Sequence, residues 1–394
     1  MKLTVSNIDF SSLLKIDPIV NNLQPDIKLA ELNSYLFFDK GKEKLFFLIR
    51  GPLTASCMEI SATLEGDTSG AVMVFSGNIT HLINSYTDEL QKNITLTITI
   101  IGDKSTLTFT GNNDKVQFPH LSVGEANLKE LEDLVDRVLY SGVEPPILDY
   151  TFTKDTGVNF LEALSSCLSF VDNDLRNNAV AIYQDKLIAS DSRHVYIQKL
   201  ISNLNLIEGP IFLHRKIATV LIDLKSKTDN VYFVYCADNM VILKAPTLKF
   251  SALLNNKMAR IAPPSEDDLA SIRPVTAIAD IPKAIFSDLL NFFVGFYSNK
   301  INYKVLSLKT QSDGINFILK NSGVIGYNSS HVERKLLTVV NGGDIACSVL
   351  FDSMRLFVKE LSKEDTVSLF MDNEHKAVVL SSNRQEVYIA KPPK

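Results

Sequence analysis

One motif occurs three times along the chain: an amphipathic helix followed by a two-stranded hairpin. A repeat of this period restricts the fold more than any single residue, because each copy must bury the same faces in the same order. The first copy runs over residues 78–93 and then 94–111, the second over 213–228 and 230–246, the third over 351–365 and 366–382. Within each hairpin apolar and polar residues alternate, as a half-buried strand requires. Leu96, Ile98 and Ile100 alternate with Thr95, Thr97 and Thr99; Val231, Phe233 and Tyr235 follow the same rule, as do Val367, Leu369 and Met371. Each pair turns at residues suited to tight bends: Gly102-Asp103-Lys104, Asp238-Asn239 and Asp372-Asn373-Glu374. Asp103, Asp238 and Asp372 are spaced about 135 residues apart, an ordinary domain length.

Each third also opens with helical spacing, over 9–22, 157–172 and 282–297. The second of these predicts a buried stripe of Phe160, Leu161, Leu164, Leu168 and Val171, the third a stripe of Ile285, Leu289, Phe292, Phe293 and Phe296, with Pro282 in its first turn. Short strands follow, for example 44–50, 180–188 and 314–320. The expected fold class is therefore α+β, with three tandem domains of two helices packed on antiparallel sheets. Their bounds read as 1–125, 149–262 and 275–394. Between the first two lies a helical connector, 126–148, with Leu128, Leu131, Leu134, Val135 and Val138 at helical spacing. Between the last two lies an acidic linker, 263–274, expected to be a solvated segment rather than a catalytic carboxylate pair.

The composition agrees with a folded chain. Of 394 residues, 45% are hydrophobic and 22% charged, which excludes disorder and collagen. The net charge of −5 excludes a globally basic nucleic-acid coat but not a local basic face. No window reaches the roughly 18 consecutive apolar residues of a membrane helix. The start lacks an apolar signal core and has Asp9 close behind, so a cytoplasmic location is expected. Cys57, Cys167, Cys236 and Cys347 are far apart and form no C-x-x-C, which predicts buried thiols rather than a metal site.

The motifs of common chemistries are missing: there is no G-x-x-x-x-G-K-[ST], H-E-x-x-H, G-x-S-x-G or EF-hand loop. The run Ser190-Asp191-Ser192-Arg193-His194 holds Ser, Asp and His, but a triad needs convergence in space. It reads as a polar turn, as the rim of a ligand site, or, remotely, as the active site of a hydrolase or transferase. The second helices carry a sharper signal. Arg355, Lys359 and Lys363 at i, i+4 and i+8 predict three cations on one helical face. The second copy has Arg215 and Lys216 at its start and Lys225 and Lys227 at its end, whereas the first has only Lys92. Cations at the same place in successive repeats suit a polyanion such as the DNA backbone.

With these features together, the sequence resembles the bacterial-type DNA polymerase sliding clamp. Met1-Lys2-Leu3-Thr4-Val5 is similar to the family's first strand, and Val116-Gln117-Phe118-Pro119 to the close of its first domain. Residues 185–195, Asp-Lys-Leu-Ile-Ala-Ser-Asp-Ser-Arg-His-Val, resemble a second-domain segment in which a strand runs into Ala-Thr-Asp-Gly-His-Arg-Leu. Val387-Tyr388-Ile389-Ala390-Lys391-Pro392-Pro393 resembles the C-terminal strand and tail. The helix at 126–140 departs from the usual clamp, a divergence that suits a phage version.

The resemblance implies a ring-forming homodimer of clamp domains, closed head to tail around duplex DNA, with helices lining the hole. It implies a non-enzymatic processivity factor without catalytic residue or cofactor, tethering a polymerase and engaging a clamp loader through short peptides. The DNA-facing cations would be Lys92, Arg215, Lys216, Lys225, Lys227, Arg355, Lys359 and Lys363. Carried over by position, the family's peptide pocket would be rimmed by Ser190, Ser192, His194 and Val195, with Leu380, Val387, Ile389 and Pro392 from the last domain. The sequence departs where the family has Gly-His-Arg, since here the residues are Ser192-Arg193-His194. The few cations of the first third leave open a second form, a monomeric or open processivity factor that binds DNA on one basic face.

Overall fold

The computed structural model describes residues 2–5, 33–39, 44–50, 54–60, 62–65, 72–76, 95–101, 104–111, 114–119, 121–122, 129, 133, 135–136, 138, 147–152, 158–171, 177–191, 193–236, 239–274, 276–296, 304–320, 331–371 and 377–392. Among these residues every strand pair is antiparallel. The strands form sheets of 5, 9, 8 and 4 members. The chain divides into two compact units, one made of Met1–Val158, Asn205–Glu208 and Lys216–Met258, the other of Asn159–Leu204, Gly209–Arg215 and Ala259–Lys394.

The first unit holds the five- and nine-stranded sheets. In the five-stranded sheet the first expected hairpin is present as Thr95–Ile101 and Lys104–Gly111, beside Lys2–Val5 and Asp114–Pro119. In the nine-stranded sheet the second hairpin is Val231–Tyr235 and Met240–Ala245. Val231, Phe233 and Tyr235 are buried while Tyr232 is exposed, as alternation demands. Asn239, at its turn, adopts a φ of 62°, a left-handed conformation that asparagine tolerates. This sheet crosses from one third of the sequence into the next, because Thr54–Ile60 pairs with Phe250–Asn255, Met58 opposite Phe250.

The second unit repeats that device. Its eight-stranded sheet joins His194–Lys199 to Gln385–Ala390, so the second and third parts of the sequence share one ladder. The third hairpin is Thr366–Phe370 and Ala377–Ser381, with Val367, Leu369 and the following Met371 buried. The expected strand at 180–188 is two strands, Ala179–Ile182 and Lys186–Ser190, paired as a hairpin. The four-stranded sheet contains Gly314–Lys320, as expected, between Val305–Gln311 and His331–Leu337.

Five helices are labelled here: α1 (Val158–Leu168), α2 (Arg215–Lys227), α3 (Glu266–Ile272), α4 (Lys283–Val294) and α5 (Phe351–Glu360). The expected helices at 9–22 and 78–93 lie outside the described residues. In α1 Phe160, Leu161 and Leu164 are buried as predicted, while Leu168 and the following Val171 are half-buried. The prediction for α4 is only partly met. Phe286, Leu289, Leu290 and Phe293 form its buried stripe, whereas Ile285, Phe292 and Phe296 are 48%, 38% and 44% exposed. With aromatic residues on both sides of the helix, spacing alone could not choose the inward stripe. Pro282 ends the preceding strand and stands just before the first helical turn. In the connector Lys129, Asp133, Val135, Asp136 and Val138 are helical; Val135 and Val138 are buried and the three charged residues exposed.

In the linker at 263–274 the carboxylates at 266–268 are exposed, as expected, but the segment is partly helical. It contains α3, nucleated by a reciprocal cap in which Ser265 Oγ accepts from Asp268 N at 3.1 Å and Asp268 Oδ2 accepts from Ser265 N at 3.0 Å. Leu269 of α3 is buried against Ala181, Ile188, Ile197, Phe370, Val379 and Tyr388 on one face of the eight-stranded sheet. Arg273, just past its end, bonds Glu386 at 2.7 Å and lies over the Phe370 ring at 4.5 Å. The opposite face of the sheet packs on helices, where Phe170 stacks on Tyr196 with centroids 4.3 Å apart and Phe357 of α5 meets the same tyrosine edge-on.

Candidate functional site

The cations predicted to face DNA lie on two helices. In α2 the apolar stripe Ile217, Val220, Leu221 and Leu224 is buried, which leaves the charged positions to the outer side. Arg215 and Lys216 are half-buried at its start, and Lys227 is exposed in its last turn. Lys225 is held by Asp229 at 3.0 Å. Two lysines in a last turn also oppose the negative end of the helix dipole. In α5, Ser353, Met354, Phe357 and Val358 are buried, and Arg355 and Lys359 are exposed one turn apart.

The third member of that predicted stripe is displaced. α5 ends at Glu360, and Lys363 is exposed in the turn beyond it, so three cations do not share one helical face. The stop has a local cause. Lys283 Nζ donates to the Leu361 carbonyl, and Asp365 Oδ2 accepts from Ser362 N at 2.6 Å, satisfying groups that a longer helix would have used. Lys92 lies outside the described residues.

The residues proposed for the peptide pocket do not form one rim. Strand alternation sends neighbours to opposite faces, and the register fixes which face each takes. Ser190, Val195 and Tyr388 stand opposite one another in adjacent strands, on the face that α3 covers. His194 is opposite Ile389, and Val387 is opposite both Tyr196 and Leu380, on the helix-packed face. Leu380, Val387 and Ile389 are each fully buried there and belong to the core. Val195 and Pro392 are half-buried, and Ser192 lies outside the described residues. On the α3 face the half-buried apolar residues Tyr183, Phe212, Ile261, Ile272 and Ala277 join Val195 around the cluster. Sequence reasoning missed these; the alternation of 194–199 is the signal that could have separated the faces.

His194 is the centre of a polar chain. Its Nδ1 lies 2.7 Å from Asp191 Oδ2, and its Nε2 meets Ser353 Oγ of α5. Asp191 Oδ1 also accepts from the backbone N–H groups of Arg193 and His194, each at 2.6 Å. Partial burial acts to raise the Asp191 carboxyl pKa, but the hydrogen bond and charge of His194 and the two backbone donors outweigh it and hold the value below the usual carboxylate range. The order Asp–His–Ser is that of a hydrolase triad. Ser353, however, is only 4% exposed, on the buried face of its helix, which leaves no approach for an acyl group. The arrangement is a structural polar chain.

A polar cleft of about 690 Å³ opens between α1, the end of α5 and the turn at 382–385, lined among others by Glu162, Glu360, Asp365 and Arg384. Glu360 is engaged by Ser166 Oγ at 3.0 Å. No sequence motif marks this cleft, because its walls come from separate segments. All four cysteines are buried, as expected, and burial pushes the Cys167 thiol pKa up, with Glu360 adding to the effect. In the linker Glu266 and Asp268 have lowered carboxyl pKa values, the first from its bond to Lys186 and the second from its bonds to Ser265. Among the described residues no helix is long and apolar enough to cross a membrane.

No protein-family model and no curated protein sequence matches the chain. Solved structures do. The beta sliding clamp of Caulobacter crescentus, with polyethylene glycol bound, superposes with a TM-score of 0.74 at 9% identity, covering 100% of both chains. The DNA polymerase III beta subunit of Thermotoga maritima gives 0.70 at 12% identity over 100% of this chain and 99% of its own. The Pseudomonas aeruginosa sliding clamp bound to griselimycin gives 0.70 at 11% identity over 100% of both. At these identities the likeness concerns the backbone, and over its whole length the chain has the α+β fold of the bacterial DNA polymerase sliding clamp.

Proposed function

We propose that the protein is a DNA sliding clamp, a processivity factor that encircles duplex DNA without reading its sequence and tethers a replicative polymerase. The observation that carries this reading is the full-length likeness to sliding clamps, with both chains covered end to end. A fold alone hosts many functions, so the charged positions matter too. Exposed Arg355, Lys359 and Lys227 on helices suit phosphates, which position a protein on DNA without specifying sequence. The remaining DNA contacts in this reading are Lys92, Arg215, Lys216, Lys225 and Lys363. No catalytic step or cofactor enters it, and its place of action is the cytoplasm.

In this reading the protein is a homodimer. The support is a partly exposed apolar side of α4 and the turn after it, where Ile285, Phe292 and Phe296 are exposed even though Arg334 lies over the Phe292 ring at 4.8 Å; Leu337 and Val339 are also exposed, at 74% and 81%. The partner peptide of a polymerase or loader would dock on the α3 side of the eight-stranded sheet, against Val195, Pro392 and Ile261, with Ser190 beneath. Tyr183, Phe212, Ile272 and Ala277 supply further apolar surface for extended peptides with apolar anchors.

The experiment is a solution mass followed by retention on DNA. A particle of twice the 43.8 kDa chain that stays on a nicked circle and runs off linear duplex supports the ring. A monomer that binds both forms alike replaces it with the open, one-faced processivity factor. No retention on either form rejects both.

A further inference from the structure

We propose that His194 links the partner-facing side of the eight-stranded sheet to the cationic helix α5 on the other side, so that duplex DNA at Arg355 and Lys359 and a peptide at Val195 each change the other's affinity. The inference rests on the clamp reading and adds a regulatory connection to it.

The link is built from adjacent residues of one strand. Val195 faces the α3 side, while the His194 ring crosses to the helix side and reaches Ser353. Asp191 makes the ring and the turn a single body. One of its carboxylate oxygens holds the N–H groups of Arg193 and His194, and the other holds the ring through Nδ1. The ring thus joins the Asp191 carboxylate through Nδ1 and the Ser353 hydroxyl through Nε2, so neither ring nitrogen is left without a polar neighbour. The turn is tied further by Ser190 Oγ, which donates to the His194 carbonyl at 3.1 Å. Ala390 N donates to the Arg193 carbonyl at 2.9 Å, two residues before Pro392. A peptide seated on Val195 and Pro392 therefore presses on strands that carry this turn. A displacement of the turn moves the ring, and the ring holds the buried side of the helix whose outer side carries Arg355 and Lys359.

The surroundings argue that this is more than filling. His194 stands opposite fully buried Ile389 and 6.1 Å from the Phe170 ring. An apolar pair in place of His194 and Ser353 would fill such a site at little cost, whereas removing one partner alone strands the other. A polar chain from turn to helix adds direction that apolar packing lacks. Linkage requires that the coupling act equally both ways.

The test follows amide hydrogen exchange at Arg193 and His194 with and without a nicked circular duplex, in the full-length protein. Exchange in the wild type should slow by about fivefold or more once DNA is bound. Ser353→Ala should still retain the circle while its turn exchanges at the same rate with or without DNA. If Ser353→Ala does not fold, the double variant His194→Leu with Ser353→Ala, which leaves neither partner stranded, should show the same silent turn. DNA retained with no change at the wild-type turn overturns the link and leaves the clamp reading standing. A turn that still responds in the serine variant, or in the double variant, overturns it equally. Failure of the wild type to retain DNA removes the clamp reading and the link together.

Discussion

Ile389 stands directly across from His194 in the ladder between Gln385–Ala390 and His194–Lys199, and both side chains point to the helix-packed face. Two parts of the chain separated by almost two hundred residues meet at this pair. It decides which neighbouring residues pack under the helices and which lie on the α3 side of the sheet.

Ile389→Ala should destabilise the chain by about 3 kcal/mol in denaturant unfolding, as expected for a fully buried isoleucine in a packed core. Val195→Ala, at a half-buried position, should cost about 1 kcal/mol or less. Equal small losses would return Ile389 to an open surface.

Asp191 gives a pH signature with a defined sign. Its carboxyl titrates lower in the folded chain than in the unfolded one, so its contribution is complete above the unfolded value near pH 4 and fades as pH falls through the native value. Asp191→Asn should lose about 1 kcal/mol at neutral pH relative to the wild type. The difference should close in strong acid, measured by denaturant titration at stepped pH.

Charge reversal at Arg355 and Lys359 should shorten retention on a nicked circle without lowering the melting temperature, since both are exposed. Removing two phosphate contacts should also reduce the slope of log affinity against log salt by about 2. Lys363→Glu alone should do less, because that residue lies beyond the helix.

The α3 cap can be removed at a single exposed residue. Ser265→Ala should cost about 1 kcal/mol and speed exchange within Glu266–Ile272 before global unfolding. Unchanged exchange there would show that Leu269 and Arg273 alone hold the helix.

Gly314 offers a steric test. A Cβ at this position would run into the Leu336 carbonyl oxygen of the neighbouring strand. Gly314→Ala should therefore lower the melting temperature and loosen His331–Leu337, read by exchange of its amides.

The repeat carried most of the fold. The three hairpins and the buried Phe160, Leu161 and Leu164 of α1 follow from spacing, because strand and helix periods are local properties. The site was less legible. Lys363 sits on the expected helical period, yet a side chain from residue 283 helps to end α5 before it. The resemblance carried Ile389 and Val387 to the groove by position alone; only pairing with 194–199 reveals the side each takes. Ser353 carried no motif at all, since its partner is distant in sequence and meets it only through the sheet. In the linker the run of charges masks Leu269 and Ile272, whose apolar contacts with the sheet appear only in three dimensions.

The two ladders that stitch successive parts of the sequence, Thr54–Ile60 with Phe250–Asn255 and His194–Lys199 with Gln385–Ala390, have a mechanical consequence. A pull along such a seam loads several main-chain bonds together instead of peeling them singly. Local opening of these sheets is therefore cheaper at their edge strands than along either stitched seam.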